Sequence, residues 1–284
     1  MTALVMGTVI AVAPGAAAFT TNGYVTRTKA ISIPAESHGG GRLACPDGYR
    51  VVSGGASFPV TDPPYISHWI SASVPVKAGR AWFAAGRNAE STGASTLTIR
   101  IHCLPASRLG TYVVVKVTPG IDDRGAAGAY AACPLNHRIV TGGALWRIPG
   151  DPPSPSVAAQ TRLSSTTPTV QATGWYADGH RGSTTARLEV LAFCLPTSRV
   201  GRYALLTVGA EEPDADLALS GRCPTGHRVV ASGTYVHKPG LGPDLEEART
   251  SSLRGTLPTG KATAFAGGIA TTERTLVLLC RPTS

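Results

Sequence analysis

The chain has 284 residues, of which 43% are hydrophobic and only 15% charged, a balance that excludes a disordered polymer and leaves ample material for a core. Its net charge is +9 and its pI ≈ 9.5, with mean hydropathy +0.07. The charge is spread as +5, +3 and +1 over residues 22–110, 111–201 and 202–284, with no basic run, which argues against a nucleic-acid-binding stripe.

Taken in chain order, residues 1–18 form an apolar run ending in Ala16-Ala17-Ala18, the pattern of an export signal cleaved before Phe19. No Lys or Arg precedes the run. Pro14-Gly15 interrupts it and it is short, so a cleaved signal is expected in place of a membrane anchor. No later segment is long and apolar enough to predict a span, so the mature protein is expected to be secreted without one.

After the signal, 33 glycines and 22 prolines punctuate short apolar runs, and no stretch sustains apolar residues at helical spacing. An all-β protein is expected. ACPDGYRVVSGG at Ala44 returns as ACPLNHRIVTGG at Ala132 and RCPTGHRVVASG at Arg222. Cys45, Cys133 and Cys223 lie 88 and 90 residues apart, and Cys103, Cys194 and Cys280 lie 91 and 86 apart. Tyr24, Tyr112 and Tyr203 precede the first cysteines by 21, 21 and 20 residues. The spacing predicts three tandem antiparallel modules, 22–108, 109–199 and 200–284.

One cysteine pair per module predicts the disulfides Cys45–Cys103, Cys133–Cys194 and Cys223–Cys280. Closing loops of this size is worth roughly 4 kcal/mol each on the chain-entropy model. Staples of that kind suit modules near the lower limit of core size in an oxidising compartment. With no C-x-x-C or clustered Cys/His spacing, no metal and no cofactor is expected.

Five strands can be read per module; in the second they are YVVVKV, HRIVTG, the stretch around RLSSTT, GWYADG and RLEVLAFC. In the last strand of the first module Leu97, Ile99, Ile101 and Cys103 share the inner face, leaving Thr98, Arg100 and a solvated His102 outside. The matching outer faces carry Leu191 and Phe193, then Val277 and Leu279, which predicts that modules pack on one another. Gly48, Asn136 and Gly226 suit a left-handed turn. The glycine pairs Gly54-Gly55 and Gly142-Gly143 mark a bulge or close approach, and the third module, with Ser232-Gly233, keeps only the second glycine. Trp82, Trp175 and Phe265 are expected core aromatics.

C-P-x-G-x-x-V-x-G-G, with a Trp and a second Cys after an apolar strand, resembles repeats of exported actinobacterial proteins of unknown function. Cys45-Pro46-Asp47-Gly48 with Cys103, and Cys223-Pro224-Thr225-Gly226 with Cys280, also resemble distantly the vitelline membrane outer layer family. That resemblance implies three sheets in a pseudo-threefold β-prism; three packed β-sandwiches are the alternative. That family's repeats are shorter, and its Asp-Asp-Thr-Ala segment is absent here.

Catalytic signatures are missing: there is no G-x-S-x-G, H-E-x-x-H, P-loop or Rossmann glycine pattern, so no catalytic residue is named and a non-enzyme is expected. His137 and His227 stand where the first module has Tyr49 and read as turn residues; Asp122-Asp123 and Glu211-Glu212 read as loop acids. The loops after the glycines diverge most. They combine aromatics with acids beside proline: Phe58 and Asp62 with Trp69 nearby, Trp146 with Asp151, and Tyr235 with Asp244. Rings that stack on sugar faces and carboxylates that accept hydroxyl hydrogen bonds suggest a glycan or cell-envelope polymer as ligand. The second expectation is a structural or protein-interaction component with a protein partner on the apolar strand faces. A hydrolase of wall polymers is the third.

Overall fold

The computed structural model describes residues 23–59, 67–169, 171–201, 203–212, 217–237, 249–256, 261–267 and 272–282. The expected signal segment lies outside these residues.

The structure is all-β. The first third of the chain forms β1 (Val25–Ile33), β2 (Ser37–Ala44), β3 (Tyr49–Ser57), β4 (His68–Val76), β5 (Ala81–Asn88) and β6 (Ser95–Pro105). The second forms β7 (Val113–Val117), β8 (Ala126–Ala132), β9 (His137–Arg147), β10 (Thr161–Pro168), β11 (Gly174–Arg181) and β12 (Arg187–Pro196). The third forms β13 (Ala204–Glu212), β14 (Leu217–Arg222), β15 (His227–His237), β16 (Arg249–Thr256), β17 (Lys261–Gly267) and β18 (Thr272–Pro282). Single helical turns, Ala106–Leu109 and Thr197–Val200, connect the thirds.

Among the described residues each third has six strands, one more than expected. The unpredicted ones, β2 (SHGGGRLA), β8 (AAGAYAA) and β14 (LALSGR), lack the β-branched signal, and the first two are rich in Gly and Ala. Close packing requires that composition, since a Cβ at Gly40 would lie 2.8 Å from Ala85 Cα. Glu211 and Glu212, expected in a loop, end β13 instead.

Within each third the strands pair into two three-stranded antiparallel units, β1-β6-β3 and β2-β5-β4 in the first. The units then join across thirds: β4 with β9, β10 with β15, and β16 with β3. The result is three six-stranded sheets, and the last joint returns to the first third, so the sheets are connected in a cycle. Separate sandwiches on a string would not share sheets in this way.

The joints explain why only the second glycine recurs. Small residues meet there: Ser73 faces Ala144, Thr166 faces Thr234, and Ser57 faces Ser252. A Cβ on Gly143 would run into the Ser73 carbonyl, and one on Gly233 into the Thr166 carbonyl. The first glycine has a different partner. Cβ atoms at Gly54 and Gly142 would lie 2.6 and 2.5 Å from the rings of Trp82 and Trp175, which bridge the two units of their own third. Each indole N–H donates to a joint hydroxyl, Trp82 Nε1 to Ser73 Oγ at 3.1 Å and Trp175 Nε1 to Thr166 Oγ1 at 2.8 Å.

Phe265 is not the third member of that set. Trp82 lies opposite Leu43 and Trp175 opposite Ala131, two residues before the first cysteine; there, opposite Gly221, the third copy places Ala262. A small residue at 262 accompanies Ser232 in place of the first glycine, and the side chain of Phe265 lies outside the described residues.

The three disulfides form as the spacing predicts, with Cα–Cα distances of 5.8, 5.8 and 5.6 Å. Each ties the two units of one third: Cys45 follows β2 and Cys103 lies in β6, which belong to different sheets. The turns that follow the first cysteines are left-handed at Gly48, Asn136 and Gly226 (φ 76, 61 and 77°). His137 and His227 serve those turns, their Nδ1 atoms donating to the Leu135 and Thr225 carbonyls at 3.0 and 3.2 Å.

One core runs from Ile33 through Trp146 to Leu279 across all three thirds. Tyrosines lock the junctions. Tyr112 Oη donates to the Val51 carbonyl at 2.7 Å, and Tyr203 Oη to the Ile139 carbonyl at 2.8 Å, each reaching from one third into the preceding one. Burial pushes both phenols well above their ordinary value, so they remain donors. The Arg of the recurring motif sits over the ring of the following third: Arg50 lies 5.8 Å from the Tyr112 centroid. Arg228 lies 5.9 Å from that of Tyr24, which closes the cycle. Phe193 packs edge-on against Tyr112 of its own third at 5.7 Å, while Leu191 packs with a cluster that includes Val74 and Phe83 of the first third. His102, expected in water, is only 2% exposed; Thr26 Oγ1 lies 2.9 Å from its Nδ1 and Tyr24 covers its ring edge-on.

Candidate functional site

The aromatic loop residues do not converge on one site. Phe58 and Trp146 are 1% and 0% exposed, so neither ring offers a face to a sugar. Phe58 stacks on His68 at 4.8 Å, and Trp146 Nε1 donates to the Arg162 carbonyl at 3.0 Å. Trp69 is half-buried and acts between thirds: its Nε1 donates to the Ala158 and Thr161 carbonyls at 3.2 and 3.0 Å, beside the 3-10 turn Pro155–Ala159. Arg87 covers its ring at 5.4 Å and donates to the Ala159 carbonyl. The divergent loop of the second third thus packs on the first. Asp151 is exposed on that loop. Asp62 and Asp244 lie outside the described residues, as does the side chain of Tyr235.

A Ser67–His68–Glu90 cluster looks at first like a nucleophile, base and acid. Ser67 Oγ lies 3.2 Å from His68 Nδ1, and Glu90 Oε1 lies 3.6 Å from His68 Nε2. But Ser67 Oγ donates its proton to Glu90 Oε1 at 2.8 Å, so the hydroxyl is committed to the acid and not to the base. A nucleophile needs the opposite arrangement. Burial lowers the His68 pKa and Glu90 only partly offsets this, leaving a neutral ring at pH 7. The cluster anchors the start of β4. Among the described residues no three His, Cys, Asp or Glu side chains are grouped to hold a metal ion.

An open feature among the described residues lies at one corner, where β7 is the edge strand of its sheet. Val113 and Val114 there are 38% and 42% exposed. Just beyond, Pro119, Gly120 and Ile121 face Arg181, Thr184, Thr185 and Arg187 across a groove of about 460 Å³. Register explains the juxtaposition: Val117 lies opposite Val190, so three residues further Gly120 comes opposite Arg187. The connection from β11 to β12 is braced from within, Arg181 Nη1 donating to the Ala186 carbonyl at 2.8 Å and the Ala186 amide to Thr184 Oγ1 at 3.2 Å.

Nearby carboxylates are largely engaged. Glu189 accepts from Arg147 at 2.7 Å and Lys116 at 3.4 Å, and Asp122 Oδ1 accepts from the Arg124 and Ala126 amides. Arg187 is exposed and has no carboxylate partner among the described residues. The groove can therefore hold an anionic group. Sequence reasoning missed it because its two loops lie some sixty residues apart, and only the β7–β12 pairing joins them. The signal available was PGI against RGSTTAR, visible once that pairing is known.

No known family model matches the chain, and no characterised protein matches it in sequence.

Proposed function

We propose that this is an exported, non-catalytic protein-interaction component built as three copies of one module, with the β7 corner as its recognition surface. The carrying observation is the exposed valine edge running into a basic groove, on a scaffold held by sheet joints, disulfides and buried tyrosines. An exposed strand edge is a ready template for another chain. Disulfides in all thirds suit an oxidising, non-cytoplasmic setting, and no helix among the described residues is long and apolar enough to cross a membrane.

The test compares the disulfide-intact protein with its Val114→Glu variant for binding to surface proteins and to envelope polysaccharides of the producing cells. Protein binding lost in the variant supports the reading. Recovery of a mature N-terminus at Phe19 checks export. A glycan or envelope polymer bearing anionic groups is the second reading, favoured by Arg181 and Arg187; binding to polysaccharide alone would select it.

A further inference from the structure

We infer that the β7 edge and its groove take an extended acidic segment of a partner protein, added as a further strand; this deepens the interaction reading above and rests on it. The first third shows what a protected corner looks like. Edge strand β1 carries Arg27, whose Nη1 donates to the Ala44 carbonyl at 2.8 Å, and Lys29, whose Nζ donates to the Arg42 carbonyl at 3.3 Å. Two cations thus cover the adjacent strand and deter pairing.

Counting from Tyr24 and Tyr112, Arg27 and Lys29 correspond to Val115 and Val117, which donate nothing. The β7 corner has lost its cover while gaining exposed Val113 and Val114. The strand is five residues long, enough for roughly 17 Å of ladder. Beyond its far end, on the side of β12, lie Arg187 and Arg181, which long acidic side chains of an added strand would reach across Gly120.

Charge selects the occupant. The chain carries +9 overall, and Arg187 awaits a counter-charge, so an acidic segment is complementary where a second copy would bring the same arginines. Backbone pairing supplies affinity, and carboxylates at one end of the segment fix its direction.

The test selects twelve-residue segments from a random display library on the immobilised, disulfide-intact protein. Enriched segments should alternate β-branched residues and carry Asp or Glu at one end. Their synthetic versions should bind at least ten-fold more weakly to Arg187→Glu, and less severely so to Arg187→Ala, with both variants keeping the parent melting temperature. Amide signals of residues 113–117 should shift on binding. Neutral or basic segments that bind β7 and ignore Arg187→Glu would overturn the acidic class while leaving the interaction reading intact. Failure to enrich any segment would overturn both, and growth in mass with concentration would assign the edge to a second copy instead.

Discussion

Asp178 sits on the middle strand of its unit, a charged side chain only 3% exposed. One carboxylate oxygen, Oδ1, accepts from the Ser165 amide at 2.7 Å, and Oδ2 accepts from the Tyr176 hydroxyl at 2.8 Å. Burial pushes its pKa up from 3.8 to about 6, with the Tyr176 and Ser165 hydrogen bonds offsetting part of the desolvation. The folded protein therefore binds this proton more tightly than the unfolded chain does. Between those two values its contribution to stability falls as pH rises, and above about 6 the ionised group imposes its full cost. At roughly 1.36 kcal/mol per pH unit, that cost is about 3 kcal/mol. Asp178→Asn keeps the shape, the acceptor for Ser165 and a donor that the Tyr176 oxygen can accept. It should stabilise the protein by about 2–3 kcal/mol at pH 8, roughly 5–10 °C in Tm, and by close to nothing at pH 3.5. Thermal unfolding of both proteins at the two pH values measures the difference. An equal offset at both, or a loss of stability at pH 8, would refute the argument.

Gly143→Ala forces a Cβ into the β4 backbone and should cost about 1–3 kcal/mol, read by urea unfolding; Gly150→Ala, in open space but at φ 90°, should cost less. Tyr112→Phe leaves the Val51 carbonyl without its buried donor and should cost about 1–3 kcal/mol, with Tyr203→Phe behaving alike at the next junction. Replacing Cys133 and Cys194 together by Ala should cost about 2–5 kcal/mol, and non-reducing peptide mapping should still recover the other two bridges intact.

The all-β class, the disulfide pairing and the left-handed turns were legible because each depends on residues close in sequence or recurring at fixed spacing. Cysteine spacing and a Cys-Pro turn are local signals, and alternation along the last strands gave their inward faces directly. Phe58 and Trp146 illustrate where such reading stops. Aromatics in variable, proline-rich loops carry no local sign of what covers them, and here strands of the same third bury both rings, His68 stacking on Phe58 and the Arg162 carbonyl accepting from Trp146. Alternation alone puts His102 in water, whereas Tyr24 and β1 cover its face of the sheet.

What the sequence determined by itself is a set of three similar pieces, each with its own staple. Only the tertiary structure decided that their sheets would be shared, because a joint such as Ser73 opposite Ala144 requires two strands seventy residues apart to find one register. The same holds for the basic groove. Gly120 and Arg187 become neighbours solely through the pairing of β7 with β12, and long-range pairing leaves no trace in the local pattern of either segment.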